Sequence, residues 1–108
     1  MTVGDWLSAR TPAPPAPLAE RLRVSLGARL SDGSEHTFES ALETAESLLA
    51  ELIALGCAQR SRALDLLAVD ALVTYAFEAA AESPDTLSAR ATAAMAEIAR
   101  LAAPSSIA

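Results

Sequence analysis

Lysine is absent from this chain of 108 residues, and all eight cationic side chains are arginine. Cysteine and histidine occur once each, aromatic residues amount to 4%, and the net charge is −6. Each scarcity removes a class of function. A single cysteine, Cys57, closes no internal disulfide and builds no cysteine-based metal cluster. Beside Gly56 it is expected to pack as a small apolar side chain, which suits a reducing, cytoplasmic setting. An acidic chain with scattered arginines repels phosphate, so neither nucleic acid nor an anionic membrane surface is an expected partner. No uncharged apolar run approaches the roughly 18 residues that span a bilayer, so no membrane span is expected. The first residues carry Asp5 and no apolar core behind a basic start, so no secretory leader is expected either. Phosphate-cradling glycine loops, zinc-ligand spacings and a nucleophile elbow are all missing from the pattern.

What remains is alanine, leucine and acid. Apolar residues make up 52% of the chain, enough for one domain with a modest core. Strong helix formers dominate and β-branched residues are sparse, which predicts an all-α fold. The organisation reads as an N-terminal arm over 1–10, a proline-rich spacer over 11–17, a helical bundle over 18–103 and a tail over 104–108. In the arm, Thr2 and Asp5 have the spacing of a helix-starting capping box. The spacer "TPAPPAP" favours extended backbone and is expected to hold the arm apart from the body.

Four helices are predicted in the body. The first runs from about 17 to 26, with Leu18, Leu22 and Leu26 on one stripe and Gly27 closing it. "SDGSE" is a turn in which Asp32 or Ser34 caps the second helix, about 35–55. That helix is expected to bury Phe38, Leu42, Ala45, Leu48, Leu49, Leu52, Ile53 and Leu55 and to expose Glu39, Ser40, Glu43, Glu46 and Ser47. Gly56 ends it. The third helix runs from about 58 to 82. Pro84 sets the next boundary, with Ser83 as cap of a fourth helix over about 84–102 that presents a stripe of Leu87, Ala91, Ala94, Met95, Ile98 and Leu101. Short connections make the last three antiparallel neighbours in a small up-down bundle of about four helices.

The third helix poses the main question, because "ALDLLAVDALVTYAFEAA" (63–80) is almost wholly apolar yet holds two aspartates. Winding it at 100° per residue yields two apolar faces. Leu66, Val69, Val73, Ala76, Phe77 and Ala80 form one; Leu64, Leu67, Ala68, Ala71, Leu72 and Tyr75 form the other. Asp70 with Thr74 and Ser61 with Asp65 mark the seams between them. Asp65, Asp70 and Thr74 are therefore candidate buried polar groups, and Asp70 is expected to pair with an arginine such as Arg90 or Arg100. A helix with two apolar faces needs cover on both sides, and four short helices leave part of it bare.

Other candidates are weaker. His36 with Glu35, Glu39 and Glu43 invites a metal reading, but the residues fall on the polar face and lack the paired Glu-x-x-His pattern of di-iron bundles, so no metal is expected. Trp6 is the single tryptophan, and large aromatics dominate interface hot spots. Trp6, Leu7, Tyr75 and Phe77 are the interaction candidates, with the arm free to fold back on its own bundle or dock on another chain. The expected function is a non-enzymatic helical interaction protein, either a homodimer or a small subunit of a larger assembly, with no catalytic residues and no cofactor. The alternative is a binder of an apolar small molecule or lipid within the bundle.

Overall fold

A computed structural model describes residues 1–56 and 62–103. Cys57, Ser61 and the 104–108 tail lie outside the described residues, as does the side chain of Leu87. Among the described residues five α-helices pack together: α1 (Val3–Ser8), α2 (Ala16–Leu26), α3 (Thr37–Leu55), α4 (Ala63–Ala80) and α5 (Pro84–Ala102). The all-α bundle read from the sequence is the fold observed, and no β-strand occurs among the described residues.

Local chemistry sets most helix ends. The Thr2 hydroxyl accepts from the Asp5 amide at 3.1 Å, and the Asp5 carboxylate accepts from the Thr2 amide at 2.9 Å. This capping box starts α1 and holds the Asp5 carboxyl below its ordinary pKa, chiefly through the backbone bond from Thr2. Gly27 and Gly56 follow α2 and α3 with φ of +52° and +84°, a region that side chains with a Cβ avoid. Pro84 opens α5 at the boundary its backbone restriction predicts.

The second predicted helix begins later than expected. Two 3₁₀ turns, 27–31 and 34–36, occupy the connection, and His36 rather than Asp32 or Ser34 takes the N-cap position. Asp32 is used elsewhere: its carboxylate accepts from the Ser40 hydroxyl at 3.2 Å, and its carbonyl accepts from the Val3 amide at 2.8 Å. Ser40, expected on the polar face, is buried with Thr37 and Thr44. The Thr44 hydroxyl donates to the Ser40 carbonyl at 2.7 Å and accepts from Arg29 at 3.1 Å. This polar row is covered by the 27–36 connection, which satisfies its hydroxyls one by one.

The core is the α3–α4 hairpin. Phe38, Leu42, Ala45, Leu48 and Leu52 of α3 face Ala68, Leu72, Ala76 and Ala80 of α4. The α4 row repeats every four residues, and its three alanines let the two backbones approach closely while Leu72 fills the space between them. Three expectations fail here. Ile53 and Leu55 are exposed rather than buried, because α3 outruns the cover that α4 supplies, and Met95 on α5 also faces outward. Leu67, expected on a covered face, is 55% exposed because it lies about 140° round α4 from Leu72.

Leu72→Ala and Leu52→Ala should each cost about 2–5 kcal/mol, whereas Leu67→Ala should cost under about 1 kcal/mol. Chemical denaturation of the three variants checks this, and equal losses would contradict the packing described.

Candidate functional site

The arm does not stand away from the body. Trp6 is 4% exposed, and its indole N–H donates to both carboxylate oxygens of Glu82, at 3.3 and 3.2 Å. Its ring meets Tyr75 edge to face at a centroid distance of 6.2 Å, and the Arg10 guanidinium lies 3.6 Å from its centroid. Arg10 also donates to the Trp6 carbonyl at 3.1 Å and stands 4.0 Å from Glu78. Backbone hydrogen bonds from the Val3 amide to the Asp32 carbonyl and from the Ser34 amide to the Met1 carbonyl fasten the other edge of the arm to the 27–36 connection. The proline spacer therefore turns the arm back, and the cis arrangement is the one adopted. Leu7 and Tyr75 are half-buried against the core beside it. Phe77 is half-buried at 5.6 Å from Phe38, edge to face, with Arg90 5.0 Å from the Phe38 ring. Trp6→Ala should accordingly destabilise the monomer by about 3–5 kcal/mol, measured by thermal or denaturant unfolding; a near-neutral result would refute docking in cis.

The polar candidates separate. Asp65 sits at the start of the α4 packing row and pairs with Arg21 of α2. Asp70 and Thr74 are exposed, not buried. Both lie about 160° round α4 from Leu72, so the packed row turns them outward. The Thr74 hydroxyl donates to the Asp70 carbonyl at 3.0 Å. The expected pairing of Asp70 with Arg90 or Arg100 is not made: Arg90 reaches Glu39 at 3.2 Å, and Arg100 holds Glu97 three residues earlier on α5. His36 is exposed with Glu35 at 3.6 Å, and no group of three or more potential metal ligands comes together among the described residues.

An apolar groove is the feature with the most to offer. It is lined by Leu42, Ala45 and Leu49 of α3, by Leu66, Val69 and Val73 of α4, and by Ile98 of α5, with a volume of about 290 Å³. Both principal rows have i, i+3, i+7 spacing, so the groove runs between two helices for roughly two turns, or about 10 Å. Its origin lies in the two-faced character of α4. Helix α3 covers the seam between the faces, α2 lies against the Tyr75 side, and α5 packs where Phe77 meets Phe38. The Leu66–Val73 half of the first face is left open, and Leu66 is 40% exposed. Ile53 follows Leu49 one turn on along the same row of α3, and it too is exposed.

Two carboxylates, Glu46 and Asp70, border this groove. The Glu46 carboxyl is raised above its ordinary value of 4.5, first by burial, then by Glu97 and Glu43, against the opposing pull of Arg100. A carboxyl with a raised folded-state pKa favours the protonated native state, so its penalty is absent at low pH and grows as pH rises through and above 4.5. Glu46→Gln should therefore melt higher than the parent at pH 7, with the gain vanishing in acid below the ordinary value; a thermal melt series across pH checks the sign.

A second, polar crevice of about 350 Å³ lies between α2 and α3, lined by Arg21, Ser25, Arg29, Thr44, Ser47 and Glu51 among others. Its arginines are engaged: Arg21 holds Asp65, and Arg29 stands 3.6 Å from Glu43 and bonds Thr44. Sequence reasoning found the face that forms the groove but not its acidic border, because that border depends on which carboxylates α5 leaves unpaired. No family model, curated protein or solved structure matches the chain. Among the described residues no helix is long and apolar enough to cross a membrane.

Proposed function

We propose that the protein is a non-enzymatic helical interaction module, cytoplasmic, which docks another polypeptide through the open α3–α4 groove. One observation carries this reading: Leu66, Val69 and Val73 continue the apolar face of α4 past the point where α5 covers it, and Leu42, Ala45 and Leu49 meet them from α3. Apolar surface gathered in one groove and bordered by charge is the usual form of a binding site, whereas scattered exposed leucines are ordinary surface. The dispersal of the carboxylates argues in the same direction, since Asp65, Glu39 and Glu97 are held in ion pairs. A group poised for acid–base work needs a second group aligned with it, and the Thr74 hydroxyl next to Asp70 on α4 is bonded to the Asp70 backbone carbonyl rather than to its carboxylate.

Native mass spectrometry of the chain recovered gently from its own source, with Leu66→Glu prepared in parallel, tests the proposal. The expected result is a stoichiometric complex for the parent that is lost in the variant. A bare chain in both preparations would refute the reading. An adduct of a few hundred daltons in place of a protein would favour an apolar small molecule in the same groove, whose volume suits part of one.

A further inference from the structure

We infer that the occupant of the α3–α4 groove is an amphipathic helix of another protein, with basic residues flanking its apolar row; this rests on the groove being the docking surface proposed above. The shape argues for a helix. Two antiparallel rows with i, i+3, i+7 spacing make a trough into which the ridge of a third helix fits, and roughly two turns admit anchors at i, i+3 or i+4, and i+7. The trough lies beside Ile98, so the incoming helix takes a place alongside α5 as a further member of the bundle.

Charge argues for a basic helix and against a second copy of this chain. The groove is bordered by Glu46 on one wall and Asp70 on the other, with Glu43 and Glu97 near Glu46 and Arg100 as the opposing cation. A cation laid along the border meets carboxylates on both sides. A second copy brings the same acids and few cations to answer them. Five of the seven described arginines, Arg10, Arg21, Arg29, Arg90 and Arg100, each stand in an ion pair with a carboxylate of their own chain, which leaves Arg23 and Arg62; lysine is absent, and the whole carries a net charge of −6. Two such chains repel at long range, whereas a basic helix is drawn in and oriented by the same field. The raised pKa of Glu46 fits this arrangement, since a neighbouring cation offsets the burial and like-charge repulsion that raise it.

The test selects from a displayed library of peptides of about 15 residues, with leucine at i, i+4 and i+7 and Lys, Glu, Gln or Ala at the flanking positions. The full chain is the bait, and Leu66→Glu is the counter-bait. Leu66 is 40% exposed, so that variant is expected to fold, which circular dichroism verifies. Val24→Glu, at another exposed apolar residue, serves as a second control that leaves binding unchanged. The expected winners are lysine-rich beside the leucine row and fail to bind Leu66→Glu. Exchanging their lysines for glutamate weakens binding about tenfold, and this preference collapses in the Glu46→Gln/Asp70→Asn double variant and at high salt. Neutral or acidic winners that still depend on Leu66 would overturn the basic-helix inference and leave the docking groove standing. The absence of any winner sensitive to Leu66→Glu would overturn both. A dimer in sedimentation that Leu66→Glu dissolves would assign the groove to a second copy and overturn the inference as well.

Discussion

The close approach of α3 and α4 is the constraint from which the rest of the structure follows. Ala68, Ala76 and Ala80 put almost no side chain between the two backbones, and Leu72 joins them in one buried cluster with Leu42, Ala45, Leu48 and Leu52 of α3. Close packing of small residues maximises dispersion contacts, but it also narrows the surface over which the two helices meet. Helix α4 is apolar around most of its circumference, so a narrow contact leaves apolar shoulders on both sides. What covers each shoulder then decides the architecture: α2 and the Trp6 arm on one side, α5 on part of the other. The groove is the portion of the second shoulder that none of the described residues covers.

The arm gives the fold its second point of closure. Its short helix is too small to be stable alone, and nucleation theory demands that packing hold it. Packing does so from two directions, by backbone hydrogen bonds to the 27–36 connection and by the Trp6 indole lodged between Arg10, Tyr75 and the Glu82 carboxylate. The polar row of Thr37, Ser40 and Thr44 beneath that connection belongs to the same closure, since Asp32 and Arg29 reach it from the connection itself. The N-terminal arm and the connection are thereby tied to one side of the hairpin, away from the groove.

Electrostatics distinguishes that free face from ordinary surface. Most of the described arginines are spent on carboxylates of neighbouring helices, so they staple the bundle without neutralising the groove border. Ion pairs near a surface contribute little to stability, on the order of 0–1 kcal/mol each where they are exposed. Their consequence lies in what they leave over: Glu46 and Asp70 facing an apolar floor. On the proposed reading, the apolar floor would supply affinity and the acidic border selection among partners.

The sequence by itself determined the helices and several of their ends. The Thr2–Asp5 box, Gly27, Gly56 and Pro84 act within a few residues of the backbone groups they cap or forbid, so their effects are legible without a fold. It also determined that α4 carries more apolar surface than a small bundle covers, because periodicity around one helix is a local property. Only the tertiary structure decided which way each ambiguous residue faces. Ser40 is buried because the connection that precedes α3 folds back and brings Asp32 and Arg29 to that side of the helix, and Asp70 is exposed because the alanine row, not either predicted apolar face, became the seam with α3. Trp6 returned to its own bundle because Glu82, 76 residues away, offers its indole an acceptor beside an aromatic neighbour. Contacts between residues far apart in the chain leave no periodic trace in it, and the border of the groove is made of such contacts.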